Sequence, residues 1–418
     1  MKEISRDIYL RQLISADGNG LIKIVTGLRR CGKSYLLFKL FRQYLRGQGI
    51  PDDHVLEYVL DDVRLEHLQT PRQLFDDISP RLVDDQKYYI LLDEIQLING
   101  FEKLLNSLLH LPNAEIYVTG SNSRFLSSDI VTEFRGRGTE IQVHPLCFRE
   151  FATAFDGSPD EAWDSYFNYG GMPLVLAQDL PEGKASYLGQ LFQQVYLSDL
   201  VERHAIRNRE EFDELLDILA SATGSLTNPK KLSDTFFSVK GKRISSNTLY
   251  RYISYLQDAF LLTPAHRYDV KGKKYINTPL KFYFEDVGLR NIRLGMRQQD
   301  ENHIMENILF NELKVRGCQV DVGVVPIHQK NLSGKIQTVK LEIDFIAYRG
   351  NQKYYLQSAY ALPDEEKRQQ ERRPLLAIRD SFKKIIVVQD NLGVRRDDTG
   401  ITTIGLRHFL LDPNSLDA

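Results

Sequence analysis

The sequence predicts an α/β protein with a parallel sheet at its N-terminal end and a second, smaller α/β portion at its C-terminal end. Three stretches predict it. Gly27-Leu28-Arg29-Arg30-Cys31-Gly32-Lys33-Ser34 has the form G-x-x-x-x-G-K-S, between an apolar run at 21–25 and a helical pattern at 35–41. Lys87-Tyr88-Tyr89-Ile90-Leu91-Leu92-Asp93-Glu94 is a continuous apolar run closed by two acids, as expected of a strand covered on both faces. From about Glu301 a helix and three strands follow one another, with carboxylates on the helix and within a strand.

The first stretch carries the clearest chemistry. A strand, a glycine-bounded turn and a helix N-terminus are what a phosphate cradle needs. Gly27 and Gly32 let the backbone curl, so that the N–H groups of Leu28, Arg29, Arg30 and Cys31 face an anion together with the positive end of the helix that Tyr35 opens. In this pattern Lys33 reaches the β- and γ-phosphates and the Ser34 hydroxyl holds Mg²⁺. The N-terminal part therefore reads as the parallel sheet of a P-loop NTPase.

Bulk properties narrow the remaining classes. The chain has 418 residues, 42% hydrophobic and 26% charged, with a net charge of -2. Such a balance excludes a protein basic throughout, and any nucleic-acid contact must come from a local patch. Cys31, Cys147 and Cys318 are far apart without paired ligand spacing, which argues against a disulfide framework or a zinc site and fits a reducing cytosol. No apolar run approaches the roughly 18 residues that span a bilayer. The expected location is cytoplasmic, with no membrane partner.

Taken in order, residues 54–60 form a second strand ending in Asp61-Asp62. At the end of the next strand Asp93 is placed to bind Mg²⁺, and Glu94 to polarise the attacking water as general base. A further strand at 114–119 ends in Gly120-Ser121-Asn122-Ser123, where Ser121 is a candidate to sense the γ-phosphate or orient the water. Phe134-Arg135-Gly136-Arg137-Gly138 then offers two arginines before a strand at 140–143. A guanidinium beside the γ-phosphate stabilises transition-state charge. Which of Arg135 and Arg137 acts, and whether within the chain or on a neighbour, stays open.

At this point the residues resemble a family. The phosphate loop, Leu91-Leu92-Asp93-Glu94-Ile95-Gln96, Thr119-Gly120-Ser121-Asn122, the Phe-Arg-Gly-Arg-Gly turn, Pro145-Leu146-Cys147-Phe148-Arg149-Glu150-Phe151 and Tyr169-Gly170-Gly171-Met172-Pro173 occur together in this order. They look like the prokaryotic AAA-type ATPases that carry a C-terminal domain of unknown function. The resemblance implies ATP rather than GTP, and it matches Arg6, Tyr9 and Leu10 to the N-terminal pattern where the base lies.

Beyond residue 150 the turn-rich stretches at 155–159 and 170–173 mark a linker, and 185–220 is helical by its apolar spacing. Two helix candidates around Gly241, the second at 245–256, precede a hairpin-like stretch at 268–284, the order of a winged helix-turn-helix. Between Lys240 and Lys281 there are nine Lys/Arg against Asp258 and Asp269, the kind of patch a phosphate backbone selects. Lys242, Arg243, Asn247 and Arg251 are the candidate contacts, with Lys271, Lys273 and Lys274 on the wing; docking of a protein partner is the alternative.

The C-terminal pattern resembles the restriction-endonuclease-like core. By position Glu306 matches the helical acid, Asp344 the first strand acid and Gln357 the second. The lysine two residues further on is replaced by Ala359, and an alanine can neither donate a hydrogen bond nor carry charge. The domain reads as an inactive, degenerate nuclease site, against the alternative of an unrelated α/β domain with incidental acids.

The sequence thus predicts a P-loop sheet in an AAA-type ATPase domain at 1–150, a linker at 151–184, a helical and winged-helix-like domain at 185–295, and a small restriction-endonuclease-like α/β domain at 296–418. The expected activity is Mg²⁺-dependent ATP hydrolysis whose nucleotide state positions DNA- or partner-binding domains. An ATP-gated scaffold with little turnover and an ATPase-coupled nuclease are the alternatives.

Overall fold

A computed structural model describes residues 2–121, 136–241, 243–297, 300–330 and 335–417. The chain divides into two units, Met1–Pro145 with Asp258–Phe260, and Leu146–Gln257 with Leu261–Ala418.

The first unit runs α1 (Asp7–Ala16), β1 (Ile22–Thr26), α2 (Lys33–Tyr35, continued through Leu36–Phe41 and Arg42–Gly47), β2 (Val55–Val59), α3 (Pro71–Ile78), β3 (Tyr88–Asp93), α4 (Phe101–Leu108), β4 (Ala114–Thr119) and β5 (Gly138–Gln142). Its five strands stand in the order β2-β3-β4-β1-β5, every pair parallel. Alternate residues such as Ile22 and Ile24, Ile90 and Leu92, or Ile116 and Val118 share one core with Leu104, Leu105 and Leu108 of α4, following the two-residue period of a strand. Across the sheet Phe41 packs on Tyr117 at 4.6 Å between ring centroids. Lys23 is wholly buried there, paired with Glu115 and held over the Tyr117 ring. Helices on both faces explain why the strands read as unbroken apolar runs. Thr70 opens α3 with a capping box to Gln73, and Pro71 takes the first helical position, where its missing N–H costs no hydrogen bond.

The second unit begins with helices α5 (Phe148–Ala154), α6 (Pro159–Tyr169), α7 (Pro181–Gln190, continued through Leu191–Leu197 and Ser198–Arg203), α8 (Arg209–Ser221), α9 (Pro229–Lys240) and α10 (Ser246–Asp258). Then come β6 (Leu262–Asp269), β7 (Lys274–Phe284), α11 (Val287–Arg293), α12 (Glu301–Val315), β8 (Gln319–Lys330), β9 (Ile336–Arg349), β10 (Gln352–Ala359), α13 (Glu365–Leu376), β11 (Lys383–Val388), β12 (Arg395–Arg396), β13 (Ile401–Gly405) and α14 (Leu406–Leu411). Eight strands form one mixed sheet in the order β12-β13-β11-β10-β9-β8-β6-β7. The hairpin read from sequence as a wing is therefore β6 and β7 of this sheet, joined to it where β6 pairs in parallel with β8. Helix α12 lies against the sheet with Phe310 stacked on Tyr283 at 4.2 Å and near Phe345 at 6.1 Å.

Candidate functional site

In a parallel sheet all strand C-termini reach one edge, and ligands bind there. The phosphate loop leaves β1 at that edge. Gly27 has φ 135, and a Cβ on it would meet the Val143 carbonyl oxygen at 2.0 Å, so only glycine fits. Gly32, at φ 105, turns the chain into α2. Leu28 and Cys31 are buried and pin the loop from below, with Cys31 Sγ 3.3 Å from the Val143 carbonyl. Arg29 and Arg30 are exposed. The Lys33 ammonium lies inside the loop and donates to the carbonyls of Gly27 at 3.0 Å and Leu28 at 3.1 Å. Ser34 and Tyr35 follow in the first turn of α2.

Because β4 stands between β1 and β3, its end completes the edge. Ser34 Oγ donates to Asp93 Oδ1 at 3.1 Å. Thr119 donates to the same carboxylate oxygen and accepts the Glu94 N–H at 2.9 Å. Ser121 Oγ donates to Glu94 Oε2 at 2.9 Å, and Gln96 donates to that oxygen and to Ser121 Oγ at 3.5 Å. Burial pushes the Asp93 carboxyl above its ordinary pKa, while the hydrogen bonds from Thr119 and Ser34 pull it down. The structure thus brings together Lys33, Ser34, Asp93, Glu94 and Ser121, all chosen from sequence. Thr119 and Gln96 were missed. Thr119 follows Val118, which pairs with Leu92, so the β3–β4 register brings it to Asp93.

The arginine turn divides differently. Arg135 lies outside the described residues. Arg137 precedes β5, its carbonyl accepts the Ile22 N–H at 2.9 Å, and its guanidinium donates to Asn106 at 3.0 Å. That is the N-terminal edge of the sheet, a strand length of roughly 15 Å from the phosphate loop. Within this chain Arg137 is not brought to the site.

In the second unit Lys242 lies outside the described residues. Arg243, Asn247 and Arg251 are exposed along the start of α10, with Arg243 over the Phe237 ring at 4.8 Å. Tyr250 is 55% exposed on that surface, whereas Tyr252 packs edge-on against Phe212 and Tyr255 stacks on His204. Lys271, Lys273 and Lys274 are exposed at the β6–β7 turn. Lys281 does not belong to that surface: it is buried and reaches Glu306 at 2.8 Å, Glu342 at 2.9 Å and Asp344 at 3.8 Å. Glu306 also accepts from Tyr283 at 2.5 Å, and Asp344 from the Ser358 N–H at 2.8 Å. Gln357 Oε1 is buried with no hydrogen-bond partner among the described residues. Ala359 is buried in an apolar cluster with Tyr355 and Leu375. The ammonium among Glu306, Glu342 and Asp344 comes from Lys281 of β7, which sequence order alone did not reveal.

The parallel sheet with its loop and acid pair has the α/β fold of a P-loop NTPase. Residues 19–152 match the AAA domain, and residues 160–300 match a domain of unknown function, DUF8612. An uncharacterized protein of Haemophilus influenzae is 34% identical over 390 residues, covering 92% of this chain and 93% of that one. An uncharacterized protein of Methanocaldococcus jannaschii is 27% identical over 395 residues, covering 91% and 82%. The solved Walker-type ATPase PABY2304 of Pyrococcus abyssi aligns over 70% of this chain and 96% of its own, at 17% identity and a TM-score of 0.49. The chain belongs to the AAA-domain ATPase family in which that domain is followed by DUF8612. Among the described residues no helix is long and apolar enough to cross a membrane.

Proposed function

We propose that the chain hydrolyses ATP with Mg²⁺ and that its nucleotide state positions a DNA-binding surface in the second unit. The observation that carries the reading is the convergence of Lys33, Ser34, Asp93 and Glu94 at one sheet edge. Ser34 Oγ and Asp93 Oδ1, 3.1 Å apart, are the hard oxygen donors that suit Mg²⁺. When bound there, Mg²⁺ would neutralise charge on the phosphate oxygens.

The loop N–H groups and the Lys33 ammonium bind the phosphates once Lys33 exchanges the Gly27 and Leu28 carbonyls for phosphate oxygens. The Glu94 carboxylate takes the proton of the attacking water, with its Oε2 held in position by Ser121 and Gln96. An arginine, either Arg135 of the same chain or Arg135 or Arg137 of a neighbouring copy, would complete the charge stabilisation. The exposed Arg243, Asn247, Arg251, Lys273 and Lys274 support contact with a phosphate backbone, with Lys242 in the same stretch.

The test is Glu94→Gln against wild type in ATP binding and turnover. The expected variant retains ATP binding and turns over at least about tenfold more slowly. Equal turnover removes Glu94 as the base. Tight binding with negligible turnover in the wild type, with and without DNA, favours the ATP-gated scaffold.

A further inference from the structure

Three carboxylates in the second unit converge on a cation that their own strands and helix do not supply. Glu306 comes from α12, Glu342 and Asp344 come two residues apart from β9, and Lys281 comes from β7. We propose that Lys281 is the resident counter-cation of Glu306, Glu342 and Asp344, standing where these carboxylates would otherwise gather a divalent metal, so that the cluster takes no metal while Lys281 is present.

The geometry separates this role from that of a catalytic lysine. An ammonium has three N–H donors and accepts nothing. Here one hydrogen bond reaches Glu306 at 2.8 Å, Glu342 is ion-paired at 2.9 Å, and the third carboxylate faces Nζ from 3.8 Å. The Lys281 side chain is only 5% exposed, so its ammonium faces the three carboxylates rather than solvent. Glu306 is fixed in turn by the Tyr283 hydroxyl, and a Cβ on Gly224 would crowd its carboxylate at 3.3 Å. Burial would lower the Lys281 pKa, but Glu306, Asp344 and Glu342 outweigh it and hold the ammonium charged. Burial, then Glu306, pushes Asp344 well above the ordinary carboxylate range, while Lys281 pulls it down. Among the described residues no group of three or more His, Cys, Asp or Glu is arranged to hold a metal ion. That is expected where the carboxylates are spread around an ammonium.

The experiment counts Mn²⁺ bound to the full, nucleotide-free chain by electron paramagnetic resonance of the free ion. Any Mn²⁺ on the phosphate loop is common to every variant and cancels. Wild type and Asp344→Asn are expected to bind the same number. Lys281→Met is expected to bind about one Mn²⁺ more, and Lys281→Met with Asp344→Asn to lose it again. A wild-type Mn²⁺ that Asp344→Asn abolishes overturns the proposal, as does a folded Lys281→Met that gains none. If Lys281→Met does not fold, the comparison of wild type with Asp344→Asn decides alone. Equal stoichiometry then upholds the counter-cation, and one ion fewer in Asp344→Asn refutes it.

Discussion

Glu94 stands at φ 52, a left-handed backbone that a residue with a side chain adopts at a cost of about 1 kcal/mol or more. Its N–H is tied to Thr119 and its carboxylate to Ser121 and Gln96, so the surroundings hold both the turn and the base. Removing the Ser121 hydroxyl should leave the fold intact and let the carboxylate swing. Ser121→Ala is expected to lower kcat for ATP several-fold with KM nearly unchanged. A rise in KM alone would mean that Ser121 binds nucleotide rather than orienting the base. Lys33, Ser34, Asp93 and Glu94 were legible because each is fixed by local order, a glycine turn or the end of an apolar strand. Thr119 and Lys281 were not, since each acquires its partner through strands distant in sequence.

At the scale of elements, the turn at 170–171 that follows α6 is clamped to α11. Asp286 caps α11 by accepting the Leu289 N–H at 3.0 Å, and it also accepts the Gly171 N–H at 2.7 Å. A Cβ on Gly170 would lie 2.2 Å from that carboxylate, which explains a glycine there. Burial raises the Asp286 pKa from 3.8 to about 6, against the pull of the Gly171 and Leu289 N–H groups. A pKa raised by folding means that the native state binds the extra proton. The contribution is fully present below about pH 4 and is lost as pH rises through about 6, a swing of roughly 3 kcal/mol. Asp286→Asn has no such titration, so the wild type should lose stability relative to it between pH 4 and 6, measured by urea unfolding at each pH. Parallel profiles would place the carboxyl at its ordinary value. The strands of this unit and its helices beyond about residue 185 were readable mainly from apolar spacing, whereas α6 (Pro159–Tyr169), with Trp163 and Tyr166 buried, lies in the stretch that reads as a linker from its turn residues. The allegiance of β6 and β7 to the eight-stranded sheet was not readable, because a hairpin announces its own turn but not the strand at its outer edge.

At the scale of the molecule, the account joins an ATPase site in one unit to a basic surface in the other. Phosphate contacts release counterions, so affinity for duplex DNA should fall steeply with rising salt. Arg251→Ala with Lys274→Ala should weaken binding across sequences and flatten that slope. Unchanged affinity or a flat slope in the wild type would remove DNA from the reading and leave a protein partner. Everything in this coupling depends on turnover at the phosphate loop. Its most direct test is Mg²⁺-dependent ATP hydrolysis by the full chain, wild type against Lys33→Ala. The account predicts turnover in the wild type and a loss of roughly tenfold or more in the variant. A wild type that binds no ATP, or a Lys33→Ala variant that hydrolyses it equally well, would contradict it.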